Sequence, residues 1–140
     1  MLLLIANLGS TSFKYKLFDM GESSERVLAQ GGADRIGQGG SSWSVTVGDQ
    51  RDQGEQDLAD HSEAIELHLG RLQALGAISE LEDVQAVGFK AVHGGPISGA
   101  VEVDAKVIET MNAFADVAPA HNPPYVAAME AFRQKLPGAK

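Results

Sequence analysis

A mixed α/β fold, a mixed sheet with flanking helices packed on it, is predicted by three observations. Phe13–Phe18 and Trp43–Val47 alternate apolar with basic or polar side chains at the two-residue period of strands. From about Asp60 the period lengthens to that of an amphipathic helix. A further apolar run at Val84–Phe89 is followed by two more helical stripes, so the order is several strands, a helix, a strand and two helices.

The elements follow in order. Leu2–Ala6 is a continuous apolar run, ended by Asn7-Leu-Gly-Ser-Thr-Ser12, and Phe13–Phe18 alternates apolar and basic residues. That pattern reads as a buried strand, a tight turn and a half-exposed strand, a β-hairpin that opens the fold. Arg26–Arg35 reads as a third strand of a meander. Gly37–Ser42 is a flexible link, and Trp43–Val47 alternates again as a strand. Asp49–Asp57 is polar with no period and is expected to be an exposed loop. Ile65, Leu69, Leu72 and Leu75 share one helical face; Asp60 with Glu63 resembles a capping box, and Gly76 suits the helix end. His61 and His68 are expected on the surface of that helix. Val84–Phe89, with Ala91 and Val92, reads as a buried strand ending at His93-Gly-Gly-Pro96. Asp104 can cap a helix whose inner face is Val107, Ile108, Met111 and Phe114. Val126, Met129, Phe132 and Leu136 stripe a last helix, with Pro123 and Pro124 in its first turn.

Composition narrows the function classes. The 140 residues suit one domain or a part of a larger enzyme, and the formal net charge is −8. An acidic chain repels a phosphate backbone, so nucleic acid is not the expected partner. The absence of cysteine excludes disulfides and thiolate metal sites and fits a reducing compartment. No apolar stretch approaches the roughly 18 residues of a membrane helix, and the opening run is too short for a signal peptide. A cytoplasmic location away from membranes is expected.

Three segments hold residues that can do chemistry. In the first turn, Gly9 lets the backbone approach a ligand, and the amides and hydroxyls around Ser10 and Ser12 can hydrogen-bond phosphate oxygens. Lys14 adds a point charge, and the Asn7 carboxamide oxygen is a hard ligand that Mg²⁺ accepts, directly or through water. The same residues also make an ordinary hairpin turn. In the second segment, Lys90 and His93 stand at a strand end before Gly94-Gly95, where α/β folds place ligands; the alternative is a partly buried strand His and a plain Gly-Gly turn. In the third, His121 precedes a helix N-terminus, where dipole and free amides favour an anion; the alternative is Asn122 as a plain N-cap beside an incidental His. There is no Walker A loop, no Gly-x-Gly-x-x-Gly after the first strand, no Gly-x-Ser-x-Gly elbow and no His/Cys/Asp metal spacing.

Taken together, the three segments resemble one family. Asn7-Leu-Gly-Ser-Thr-Ser-Phe-Lys14 resembles the Asn-x-Gly-Ser-Ser-Ser-x-Lys opening of the acetate, propionate and butyrate-type kinases. Gly88-Phe-Lys-Ala-Val-His-Gly-Gly95 resembles their Gly-His-Arg-Val-Val-His-Gly-Gly, and Ala118-Pro-Ala-His-Asn-Pro123 their Ala-Pro-Leu-His-Asn-Pro. The resemblance implies a ribonuclease H-like domain, the first of two around a nucleotide cleft, with the second, nucleotide-binding domain outside residues 1–140. It implies transfer of phosphate from ATP, with Mg²⁺, to acetate or another short carboxylic acid. Asn7 would then sit near Mg²⁺, Ser10, Ser12 and Lys14 near the ATP phosphates, Lys90, Val92 and Ala120 at the acid, and His121 at the cleft.

Two departures stand out. Lys90 replaces the family's Arg and lacks the bidentate fork that grips a carboxylate. Ala120 replaces a Leu and would enlarge the implied acyl pocket, favouring an acid longer than acetate or a relaxed function. The family's catalytic Asp lies downstream of the matched segments, so no catalytic residue is expected within this chain. A homodimer is implied for the complete enzyme. The rival expectation for these 140 residues alone is a folded, catalytically incomplete domain that binds anions without turnover.

Overall fold

The opening apolar run forms strand β1 (Leu2–Leu8), which turns back into β2 (Phe13–Met20) in a register running from Leu8↔Phe13 to Leu2↔Asp19. The computed structural model describes residues 1–90 and 94–140. Alternation decides the faces. Leu4, Ala6 and Leu8, with Phe13, Tyr15 and Leu17, are buried on one side, while Ile5, Asn7, Lys14 and Lys16 are exposed on the other.

The meander continues through β3 (Glu25–Asp34), β4 (Ser41–Val47) and β5 (Gln50–Gln56), each antiparallel to the strand before it. Strand β6 (Val84–Phe89) then joins the far side of β1 in parallel, giving a six-stranded sheet ordered β5-β4-β3-β2-β1-β6.

Strand β5 corrects the expectation of a loop at Asp49–Asp57. It is an edge strand whose residues are exposed or half-buried, so no apolar alternation marks it. A two-residue turn at Gly48-Asp49 sets Val47 opposite Gln50. Asp52 takes an ion pair from Arg71 at 3.1 Å, and the same guanidinium lies 5.5 Å over the Trp43 ring. Ser41 and Ser42, expected in the link, begin β4. Ser41 is buried there, donating its hydroxyl to Arg35 O and accepting from Leu58 N.

Three helices complete the chain: α1 (His61–Ala74), α2 (Ala105–Ala113) and α3 (Asn122–Lys135). Asp60 caps α1 by accepting from Glu63 N at 2.9 Å, and Glu63 Oε2 accepts from Ala59 N at 2.8 Å. Gly76, at φ +76°, ends α1 by releasing Ala77 N to bond Leu72 O. Asp104 caps α2 through Val107 N, as its sequence position predicts. Helix α1 lies against β2, β3 and β4 and packs on α3, which also contacts α2. Phe132 of α3 meets Phe13 at 6.2 Å and Phe89 at 5.7 Å between ring centroids, joining the hairpin to β6. A Phe132→Ala change in such a core costs on the order of 3–5 kcal/mol.

His61 and His68 are not surface residues: they are 6% and 1% exposed. They lie on the same helical stripe as Ile65, Leu69 and Leu72, so both rings turn inward. Among the described residues no helix is long and apolar enough to cross a membrane.

Candidate functional site

The turn between β1 and β2 spans residues 9–12 and is fastened from several sides. Gly9 N donates to Ser12 O at 3.0 Å, closing the turn. A side chain at Gly9 would put its Cβ 2.5 Å from Ser12 Oγ, so only glycine fits without a shift. Ile36 N, just past β3, donates to Thr11 O at 2.9 Å. His61 Nε2 lies 2.9 Å from Gly9 O and 3.1 Å from Ser12 O.

The carbonyls of Gly9, Thr11 and Ser12 are therefore all engaged by donors of the protein. Among the described residues, the amides of Ser10, Thr11 and Ser12 make no hydrogen bond. Successive amides without protein partners are groups that an anion can meet. Ser10 is exposed, while Gly9, Thr11 and Ser12 are half-buried.

Asn7 and Lys14 pair across the hairpin next to this turn. Both line a groove of about 560 Å³ on the sheet face away from the helices, with Lys16, Asp34 and Arg51. Asn7 Oδ1 accepts from the Tyr125 hydroxyl at 3.3 Å, which leaves that oxygen a second lone pair. Tyr125 is itself buried in the first turns of α3.

Lys90 follows the last residue of β6, and the parallel register Ala6↔Phe89 brings it out at the same end of the sheet as Asn7. It is exposed and lines a different cavity, of about 1030 Å³, with Ile97, Met111, Met129 and Arg133. Val92 lies outside the described residues, as do Ala91 and His93. Ala120 and His121 are exposed before α3. His121 occupies the N-cap position without a side-chain cap bond. Asn122 is not that cap: it is buried, and its Nδ2 donates to Met111 O at 2.9 Å, tying α3 to α2. The hairpin residues Asn7, Ser10, Ser12 and Lys14 are thus brought together, with Lys90 at the same sheet end but facing another cavity.

Behind the hairpin, Tyr15 OH and His68 Nδ1 are 3.3 Å apart in the core. Burial pushes the Tyr15 hydroxyl up and lowers the His68 imidazole to about 4, with the Gly32 backbone opposing the latter. Such a ring is neutral at neutral pH and acts as packing.

The family model of the acetokinase family matches residues 2–140. The chain belongs to the acetokinase family. Its acetokinase relatives include the acetate kinase of Thermosipho africanus, 40% identical over 99% of this chain and 34% of the relative, and that of Clostridium novyi, 39% identical over 97% and 34%. Among solved structures, the Porphyromonas gingivalis acetate kinase superposes with a TM-score of 0.89 at 36% identity, covering 98% of this chain and 35% of that one. A Francisella tularensis propionate kinase, 24% identical with a TM-score of 0.84 over 99% and 35%, shares the fold. The chain spans about a third of the length of the relatives it matches. The expected architecture, a mixed sheet with flanking helices, stands.

Proposed function

We propose that this chain forms one wall of the active site of an acetate kinase-type phosphotransferase, which converts ATP and a short carboxylic acid to an acyl phosphate and ADP. The observation that carries the reading is the first turn, with its carbonyls held inward and three amides free beside Lys14 and Asn7. In-line transfer breaks the bond between the γ-phosphorus and the bridging oxygen and forms one to a carboxylate oxygen. The acceptor is already an anion, so it needs no general base; it needs charge stabilisation where two negative reactants meet. The turn amides, Ser10, Ser12 and Lys14 are suited to the nucleotide phosphates, and Lys90 and His121, with Val92 and Ala120, to the acid.

Mg²⁺ fits this residue set as an ion carried in by the nucleotide. Among the described residues no cluster of three acidic or imidazole ligands exists, and Mg²⁺ bound to phosphates needs only one or two protein oxygens. Asn7 Oδ1 would supply one, directly or through water, and the ion would neutralise charge on the phosphates. The net charge of −8 supports small-molecule partners over nucleic acid, and we infer a cytoplasmic setting and a homodimer for the complete enzyme.

The one-third coverage of the relatives favours a second reading for the 140 residues alone, anion binding without turnover. Incubation with Mg-ATP, hydroxylamine and either acetate, propionate or butyrate tests both. A chimaera joining residues 1–140 to the remaining two-thirds of the Porphyromonas gingivalis acetate kinase is expected to yield acyl hydroxamate, and the folded chain alone none. An inactive but folded chimaera refutes the kinase reading; product from the chain alone refutes the second.

A further inference from the structure

We infer that His61 is the positioning residue of the anion-facing turn, its Nε2–H holding the Gly9 and Ser12 carbonyls inward so that the turn's free amides face a polyphosphate. The inference rests on the phosphate-binding reading of that turn.

The ring nitrogen meets two carbonyl oxygens, at 2.9 Å and 3.1 Å. Carbonyls only accept, so Nε2 carries the proton and shares it between them. The ring is 6% exposed, and its backbone sits in the first turn of α1, fixed by the Asp60 and Glu63 caps. The rigidity of the helix start is thereby transmitted to the turn.

The consequence follows from the planar trans peptide. The C=O and N–H of one unit point in opposite directions. Holding Gly9 O inward therefore turns Ser10 N–H outward. Ile36 does the same for the Thr11–Ser12 unit, holding Thr11 O and turning Ser12 N–H outward. If the His61 donor is lost, Gly9 O has no partner among the described residues, and a flip of the Gly9–Ser10 unit would present a carbonyl to the anion in place of an amide. The two anchors act on different amides, so His61 governs Ser10 and leaves Ser12 to Ile36.

The test titrates the ¹⁵N-labelled chain with inorganic tripolyphosphate while the amides of residues 10–12 are followed by NMR. His61→Met keeps the bulk without a donor; His61→Gln keeps an N–H. In the wild type all three amides are expected to shift. His61→Met is expected to bind about tenfold more weakly and to lose the Ser10 response while keeping that of Ser12, and His61→Gln to stay within about threefold of wild type. Wild-type affinity in His61→Met, or equal weakening in both variants, overturns the inference. A wild-type turn that ignores tripolyphosphate overturns the phosphate-binding reading itself, and the inference with it. Where His61→Met does not fold, the wild-type imidazole decides: a proton on Nε2 retained with tripolyphosphate bound supports the inference, and a bare Nε2 overturns it.

Discussion

The Tyr125 hydroxyl reaches Asn7 Oδ1 at 3.3 Å, joining the first turns of α3 to the strand that carries the proposed Mg²⁺-facing carboxamide. The contact spans most of the chain and fixes which way the Asn7 oxygen points. Tyr125→Phe is expected to cost about 1 kcal/mol of stability in urea unfolding. It should also reduce the gain in tripolyphosphate affinity that Mg²⁺ provides. Isothermal titration with and without Mg²⁺ checks this, and an unchanged gain would remove Tyr125 from the site.

Lys90 and Ala120 make a paired prediction about the acid. In the chimaera, Lys90→Arg is expected to lower the KM for acetate at least about threefold, because a guanidinium can meet both carboxylate oxygens. Ala120→Leu is expected to shift the kcat/KM ratio about tenfold from butyrate toward acetate, the scale of a methylene's fit in an apolar pocket. Steady-state hydroxamate assays with the two acids measure both.

His68 gives the fold an acid-sensitive core. Its folded value, about 4, lies below the ordinary value of 6.5 because burial disfavours the cation. The unfolded chain therefore binds a proton before the folded one does. The stability contribution is complete above pH about 6.5 and is lost as pH falls through 4, on the order of 3 kcal/mol in all. Urea midpoints at pH 7, 5.5 and 4 should fall in step, and His68→Gln should flatten that slope. The Tyr15 hydroxyl, pushed up by burial, works at the other end: above pH about 10 the unfolded chain ionises first and stability declines.

The Asp60 cap links helix stability to the turn. Asp60→Ala is expected to cost about 1 kcal/mol by freeing Glu63 N. Because His61 is the next residue, hydrogen exchange at Gly9 should quicken alongside that of the first turn of α1. Exchange confined to α1 would uncouple the two.

The elements with a buried face were legible in the sequence. Leu4, Ala6 and Leu8 alternate against Phe13, Tyr15 and Leu17, and Ile65, Leu69 and Leu72 recur at helical spacing, because one side of each element meets a core. Strand β5 was not, since its seven residues are all polar or glycine and display no apolar period. The Gly48-Asp49 pair was its available sign, at the position of a two-residue hairpin turn. The two histidines were misread for a related reason: polarity suggested the surface, although seven-residue spacing puts them on the apolar stripe. At the site, the hairpin residues were legible as a motif. The inward carbonyls, the His61 anchor and the Tyr125 contact depend on elements distant in sequence, and no local pattern announces them.

The strand order also has a bearing on how the chain folds. Five strands follow one another as antiparallel neighbours up to Gln56, so each can form by a short-range hairpin closure. Strand β6 is different: it joins β1 in parallel only after α1 has been traversed, and α3 follows it. Loop closure of that length is the slow step in such a topology. During synthesis the turn over residues 9–12 would thus exist as a hairpin tip before β6 completes the sheet, and its final shape would await the arrival of α1 with His61.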